Sequence, residues 1–200
     1  IEMETTINSI SKKIAYLNGQ EYKQLPSAKT KIALGQAIPK GKNMDLIIEK
    51  ATELGVTQIY PIISERTIIR LNEKESIKKQ EKWQRVAIEA CKQSGQNWLP
   101  KVNQPQKISS IIESTFKEFD LVLIASLQEG TEHFKSILSK IGNTNLESVL
   151  IVIGPEGDLT PSETNKIIEA GAKPMTLGPI TLRSETAAIY AISIIAHELF

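Results

Sequence analysis

The sequence predicts an α/β fold with a mainly parallel sheet and helices on both faces. Short, continuously apolar segments at 121–125 and 149–153 are typical of strands that are buried on both sides. From Lys31 onward, such strands alternate with segments of helical periodicity, as crossover connections between parallel strands require. Four of the five predicted helices end at glycines, which commonly terminate a helix.

Length and composition limit the classes of protein that fit. The chain has 200 residues, of which 40% are apolar and 24% charged, so it can bury the core of one domain. A net charge of +1 neither favours nor excludes a polyanionic partner. One cysteine and two distant histidines argue against a disulfide or a metal centre. We find no membrane span and no signal-peptide pattern, and we expect a cytoplasmic protein.

Residues 1–28 differ in pattern from the remainder of the chain. Their apolar residues alternate roughly as in strands, and Asn18-Gly19 is a typical hairpin turn. This region shows no helical periodicity. We therefore place a boundary after residue 28 and expect one domain to span residues 29–200.

The first half of the larger domain contains two strand–helix pairs. The predicted elements are strands at 32–34 and 56–63 and helices at 44–54 and 75–94. Asn43 is the predicted N-cap of the first helix, because its side chain suits that position. Gly55 and Gly95 are the predicted ends of the two helices.

The second half continues the alternation. The predicted elements are strands at 121–125, 149–153 and 175–177 and helices at 132–141, 161–170 and 185–199. Thr131 and Ser184 are predicted N-caps, and Thr160-Pro161-Ser162-Glu163 is a capping box with proline at the first helical position. The last helix is apolar on nearly all sides, which favours burial in a subunit interface.

Three loops that follow strands are candidates for a ligand site. They cover residues 126–130, 154–157 and 178–186. Ligands of open α/β sheets bind at the carboxyl ends of strands, and glycine lets a backbone approach a ligand closely. The two glycine loops therefore suit an adenine or ribose edge, or else the glycines only make tight turns. Neither loop is a dinucleotide-binding or triphosphate-binding fingerprint.

Several charged residues are candidates for contacts with a substrate. Arg183 lies beside the positive end of a predicted helix, where a cation is unfavourable, so we favour a role in holding a phosphate or an electron-rich base. The basic residues in loops or at strand ends are candidate RNA contacts. They are Lys40, Lys42, Arg66 and Arg70. The basic cluster from Lys74 to Arg85 is more typical of a solvated helix face.

Two motifs near the C-terminus carry a resemblance to a known family. The segments IGPEGDLTPSE at 153–163 and LGPITLRSETAA at 177–188 resemble the signature of the RsmE family, ribosomal RNA small-subunit methyltransferases of the SPOUT class. Pro39-Lys40-Gly41 and Ser64-Glu65-Arg66 also resemble that family. The resemblance covers residues 30–200 in order.

The resemblance implies a fold, an activity and partners. The activity is S-adenosylmethionine-dependent methylation of N3 of a uridine in 16S, small-subunit ribosomal RNA. The fold includes a C-terminal trefoil knot, and the family forms homodimers, here through the C-terminal helix. It also has an N-terminal PUA-like RNA-binding β-barrel, of which residues 1–28 would be a remnant.

The resemblance also implies roles for particular residues. The implied cofactor-binding residues are Leu127, Gly154, Gly157, Leu177, Gly178, Leu182, Thr186 and Ala187. Arg183 and Glu185 would face the methyl acceptor, where Arg183 stabilises the uridine anion and either Glu156 or Glu185 takes the proton.

The sequence departs from the family pattern at three positions. They are Asp158 in place of a glycine, and Ile180 and Gln96 in place of arginines. Aspartate tolerates a left-handed backbone, so we expect the turn at Asp158 to survive. The loss of two cations leaves open an alternative, a non-catalytic RNA-binding protein on the same scaffold.

Overall fold

The computed structural model describes residues 2–23, 29–67, 71–128, 130–142 and 146–200. The strands are β1 (Glu2–Ile10), β2 (Ala15–Lys23), β3 (Lys31–Ala37), β4 (Gln58–Ile63), β5 (Lys101–Val102), β6 (Gln106–Lys107), β7 (Leu121–Ala125), β8 (Ser148–Ile153) and β9 (Lys173–Met175). The helices are α1 (Asn43–Glu53), α2 (Glu73–Ser94), α3 (Ile108–Ser114), α4 (Phe134–Ile141), α5 (Pro161–Glu169) and α6 (Ser184–Leu199), with a short 3-10 turn at Phe116–Glu118.

Strands β3 to β9 form one seven-stranded sheet. The strand order is β5-β4-β3-β8-β7-β9, and β6 also pairs with β4. Every pairing in this sheet is parallel. The α/β class predicted from the sequence is therefore confirmed, and β3 and β8 lie at the centre of the sheet.

Helices cover both faces of this sheet. Alternate side chains of β3 separate into two cores, with Ile32 and Leu34 on one face and Ala33 and Ala37 on the other. The first core also contains buried residues of α1, α2, α4 and α6, and the second contains those of α3 and α5. This arrangement explains the continuously apolar strands, because β3, β7 and β8 are buried on both faces along most of their length.

The two strongest helix starts are both capping boxes. At α5, the Thr160 hydroxyl accepts from the Glu163 N–H, and the Glu163 carboxylate accepts from the Thr160 N–H, as predicted. At α2, Asn72 and Glu75 form a second box, so this helix starts two residues before its predicted start. Among the described residues, no helix is long and apolar enough to cross a membrane.

Three predicted N-caps are wrong. Asn43 and Ser184 are the first residues of α1 and α6, whose N-caps are Lys42 and Arg183. The N-cap of α4 is His133, two residues after Thr131, the predicted one. None of these three described N-caps makes a side-chain capping hydrogen bond, and the Ser184 hydroxyl donates to the Gly154 carbonyl instead.

Strands β1 and β2 form a separate antiparallel hairpin. Its turn lies at residues 11–14, where the Ser11 N–H donates to the Ile14 carbonyl. The prediction of a turn at Asn18-Gly19 is therefore wrong, because both residues lie inside β2, opposite Thr6 and Thr5. A Cβ at Gly19 would overlap the Met3 side chain, but that side chain is half exposed and flexible, so the overlap does not require glycine here.

Candidate active site

A cavity of about 320 Å³ opens at the carboxyl ends of β7 and β8. This volume lies within the range of small-molecule sites, roughly 300–1,000 Å³. The apolar residues that line the cavity are Ala125, Leu127, Ile153, Pro155, Leu177, Ile180, Leu182 and Ala187. Polar or ionisable groups come from Ser126, Glu156, Asp158, Thr181, Arg183 and Ser184. The site is thus mainly apolar, with a few polar groups and one cation.

The order of the strands explains why these loops meet. Because β7 and β8 are neighbouring parallel strands, the loops that follow them open at the same edge of the sheet. Strand β9 lies on the other side of β7, and the segment 176–183 leads from it to the start of α6. The Ser184 hydroxyl then donates to the Gly154 carbonyl at 2.8 Å, which joins α6 to the turn after β8.

The turn after β8 has a tightly defined backbone. The Asp158 N–H donates to the Pro155 carbonyl, and the Asp158 carboxylate accepts from the Leu159 N–H. Among the described residues, Asp158 is the one non-glycine residue with positive φ, at 61°. The expectation that aspartate preserves this turn is therefore confirmed.

Gly154 is required in this turn by space rather than by its own dihedral angles. A Cβ at Gly154 would lie 3.0 Å from the Asp158 carboxylate and 3.3 Å from the Leu159 nitrogen. Both atoms belong to the same turn and hydrogen-bond to each other, so neither moves away easily.

Neighbouring loops are hydrogen-bonded to this turn and to the helix after it. The Glu156 carboxylate accepts from the Lys40 N–H at 2.9 Å, in the loop after β3. The Arg66 guanidinium donates to the Gly157 carbonyl, so the loop after β4 holds the same turn. Glu163, at the start of α5, also accepts from the Glu65 N–H at 2.9 Å. Three loop regions at this edge of the sheet are thus connected.

The cavity brings together part of the predicted cofactor set. Five of its eight members line the cavity, namely Leu127, Gly154, Leu177, Leu182 and Ala187. The other three, Gly157, Gly178 and Thr186, do not line it. Gly178 has φ +106°, a backbone conformation that favours glycine, in the segment that leads from β9 to α6.

The residues predicted to act on the methyl acceptor lie near the same cavity. Arg183 and Glu156 line it, and Arg183 occupies the N-cap of α6. Glu185 lies in the first turn of α6, outside the lining. Its Oε2 atom is buried and has no hydrogen-bond partner within the described residues.

The predicted RNA contacts have different environments. Lys40 and Lys42 are exposed in the loop after β3. Arg66 is exposed as well, although its guanidinium is bound to the Gly157 carbonyl. Arg70 lies outside the described residues.

One residue at the site was missed in the sequence. Gln36 is fully buried near the end of β3, and its Nε2 donates to the Ser184 hydroxyl at 3.0 Å. The alternation Ile32, Leu34, Gln36, Ile38 contained a signal, since a polar residue occupies a position where the pattern favours an apolar one.

Comparisons with known proteins define the class of this chain. Residues 26–196 match the family described as an RNA methyltransferase domain. The chain is 34% identical over 182 residues to the ribosomal RNA small subunit methyltransferase E of Bacillus subtilis, covering 89% of this chain and 69% of that protein. Other curated relatives are covered over as little as 52% of their length.

Solved structures agree with the sequence match. The crystal structure of a ribosomal RNA small subunit methyltransferase E from Neisseria gonorrhoeae bound to S-adenosylmethionine is 31% identical, with a TM-score of 0.84 over 97% of this chain and 77% of that one. A Legionella pneumophila protein solved with bound S-adenosylmethionine is 29% identical, with a TM-score of 0.87 over 98% and 78%.

The fold and the sequence match thus define an RNA methyltransferase domain. Within that class, the chain belongs to the ribosomal RNA small subunit methyltransferase E family.

Proposed function

We propose that this chain methylates N3 of a uridine in small-subunit ribosomal RNA and takes the methyl group from S-adenosylmethionine. The observation that carries the proposal is the cavity at the ends of β7 and β8, whose walls include Leu127, Leu177 and Leu182. Two relatives of the same fold are described as bound to S-adenosylmethionine. Such an RNA would be met in the cytoplasm.

The residues present fit this cofactor. The apolar walls suit the faces of an adenine ring, and the loops that contribute Gly154 and Leu177 to the lining bring backbone groups close to its edges. Glu156 and Asp158 place two carboxylates at the cavity, which suit the ammonium group of the cofactor's amino-acid moiety. When bound, S-adenosylmethionine supplies an electrophilic methyl group.

The chain has to orient the uridine and manage one proton. N3 of uridine loses its proton before its lone pair forms the new bond, so a base and a stabiliser of the anion are needed. We assign the stabilising role to the guanidinium of Arg183, a residue that lines the cavity. We assign the base to Glu185, because its buried Oε2 has no hydrogen-bond partner in the described residues.

Glu156 is the weaker candidate for the base. Its Oε1 already accepts from the Lys40 N–H, which supports a role in shaping the loops around the cavity. A carboxylate committed to a backbone N–H is a poorer proton acceptor, because protonation would weaken that hydrogen bond.

We propose that RNA contacts the edge of the sheet that carries the cavity. Lys40 and Lys42 are exposed there, beside the loop that holds Glu156. Arg66 contributes its charge while it holds Gly157, and Arg70 follows in the same part of the chain. Contacts of this kind predict that RNA binding weakens as salt rises.

We further propose two domains, a C-terminal knot and a homodimer. Residues 1–28 would be a remnant of a PUA-like barrel, and residues 29–200 the SPOUT domain. The path of the chain supports the knot only in part: residues 176–183 lead from β9 past β7 to the turn after β8, where the Ser184 hydroxyl donates to the Gly154 carbonyl. Tyr190 on α6 and Phe200 directly after it, 46% and 65% exposed, leave apolar surface for a second copy.

Two measurements test the proposed function. Isothermal titration with S-adenosylmethionine should show binding, and labelled methyl groups should appear in unmodified small-subunit ribosomal RNA at one uridine N3, as mapped by mass spectrometry. Absence of cofactor binding rejects the enzyme. Binding of RNA without cofactor would support the non-catalytic RNA-binding protein instead.

A further inference from the structure

Gln36 is a polar residue in an apolar environment. It is 0% exposed and follows Ile32 and Leu34 on the face of β3 that belongs to the core beneath α1 and α6. Its Nε2 donates to the Ala37 carbonyl at 2.8 Å and to the Ser184 hydroxyl at 3.0 Å. Its Oε1 is buried and lacks a hydrogen-bond partner among the described residues.

Stability alone does not explain this side chain. A buried polar atom without a partner is unfavourable, and an apolar side chain of similar shape would pack in the core without that cost. A native protein that keeps such a group requires another reason for it.

The partner of Gln36 indicates that reason. Ser184 is buried, lines the cavity and is the first residue of α6. Its hydroxyl accepts from Gln36 and donates to the Gly154 carbonyl at 2.8 Å. Because a serine hydroxyl has a single hydrogen that rotates freely, a donor on one side directs that hydrogen toward the carbonyl on the other.

Gly154 and Ser184 belong to two different walls of the cavity. Gly154 begins the turn after β8, and Ser184 ends the segment that leads from β9 to α6. In the parallel sheet, Gln36 is paired with Ile153, the residue before Gly154, so the amide lies next to the turn it helps to hold.

We propose that Gln36 is a positioning residue of the cofactor site. Through the Ser184 hydroxyl, it fixes the Gly154 carbonyl and the start of α6 relative to each other, and so holds the two walls at the spacing that S-adenosylmethionine needs. This inference rests on the proposed function, because it concerns binding of the same cofactor.

The test measures cofactor affinity and thermal stability separately. Gln36→Met is similar in shape and removes both donor and unpaired acceptor, whereas Ser184→Ala removes the hydroxyl. Each variant should weaken S-adenosylmethionine binding by about fivefold to tenfold, the effect of one lost hydrogen bond. The melting temperature of Gln36→Met should stay level or rise, which a purely structural role would not produce.

A control variant and a double variant complete the experiment. Thr52→Val removes another buried hydroxyl, which donates to the Ile48 carbonyl within α1 and does not line the cavity, and should leave cofactor affinity unchanged. The double variant of Gln36 and Ser184 should bind about as well as either single variant, because both changes break one link.

The outcomes separate this inference from the proposed function. If the unaltered chain does not bind the cofactor, both are overturned. If it binds and both single variants keep its affinity within about twofold, or if their losses multiply in the double variant, only the link is overturned. Should Gln36→Met fail to fold, unchanged affinity in Ser184→Ala overturns the link by itself.

Discussion

The Oε1 atom of Glu156 lies 2.9 Å from the backbone nitrogen of Lys40 and accepts its hydrogen bond. This contact joins the turn after β8, which lines the cavity, to the loop after β3, which carries Lys40 and Lys42. The acceptor is a side chain and the donor is backbone, so substitution of Glu156 changes this contact directly. Substitutions at Glu156 can therefore distinguish a role in holding the two loops together from a role in proton transfer.

Two substitutions of Glu156 should show whether its carboxylate holds the loops around the cavity or takes the proton from uridine. Glu156→Gln keeps an acceptor for the Lys40 N–H and should retain most methyl-transfer activity. Glu156→Ala removes the acceptor and should lower cofactor affinity by an amount equivalent to about 0.5–1.5 kcal/mol. The measurements are single-turnover methyl transfer and isothermal titration. Equal, large losses of rate in both variants would instead identify Glu156 as the base.

Arg183→Ala should slow methyl transfer without preventing cofactor binding. A guanidinium that stabilises the uridine anion acts mainly in the transition state, so we expect a loss of about 100-fold or more in kcat. Arg85→Ala, a change of an exposed arginine on α2, is the matched control. Methyl transfer at the unaltered rate by Arg183→Ala would contradict the assignment.

Two glycines near the cavity should respond differently to alanine. Gly178 has φ +106°, so Gly178→Ala should destabilise the fold by about 1–3 kcal/mol. At Gly157, φ is not positive, and an added Cβ would meet only Arg66, at 3.7 Å. Gly157→Ala should therefore change stability by no more than about 0.5 kcal/mol. Urea unfolding measures both, and equal effects would contradict this distinction.

Asp120 should contribute stability that depends on pH. Its carboxylate accepts from the Ser148 hydroxyl and from the Glu147 and Ser148 N–H groups, and these hydrogen bonds, that of the hydroxyl foremost, lower the pKa of Asp120 below its ordinary 3.8. The stabilisation is therefore fully present above pH 3.8 and is lost as the pH falls through the lower folded value.

Asp120→Asn checks this dependence. The variant should be less stable than the unaltered chain at pH 7, and the difference in urea midpoint should shrink as the pH is lowered below 3.8. Asp120 precedes β7, at the opposite end of that strand from the cavity, so cofactor affinity should not change. If the difference in urea midpoint were the same at all pH values, the ionised Asp120 carboxylate would not be the source of the stabilisation.

Two buried strands, β7 and β8, and the start of α5 could be predicted from the sequence. The strands at 121–125 and 149–153 are apolar at every position, and the Thr160–Glu163 box forms among four consecutive residues. Signals of this kind are local, so they survive without knowledge of the tertiary structure. The short elements between residues 101 and 118 were missed, because two-residue strands and a seven-residue helix are too short to show a clear periodicity.

The site was less accessible from the sequence. Glycine-containing loops located the cavity, but the side-chain contacts that hold it were not visible. Ser184 looked like an N-cap because its residue type suits that position. Its hydroxyl donates instead to the carbonyl of Gly154, in the turn after β8, and no local pattern contains that information.

The hydrogen bonds that assemble this edge of the sheet join residues far apart along the chain. Arg66 and Gly157 are separated by 91 positions, Lys40 and Glu156 by 116, and Gln36 and Ser184 by 148. Contacts of such high contact order form late and slowly in folding, because long loops must close first. The cavity is therefore a product of the completed fold, and a chain that ends before residue 183 contains neither Arg183 nor Ser184 to complete it.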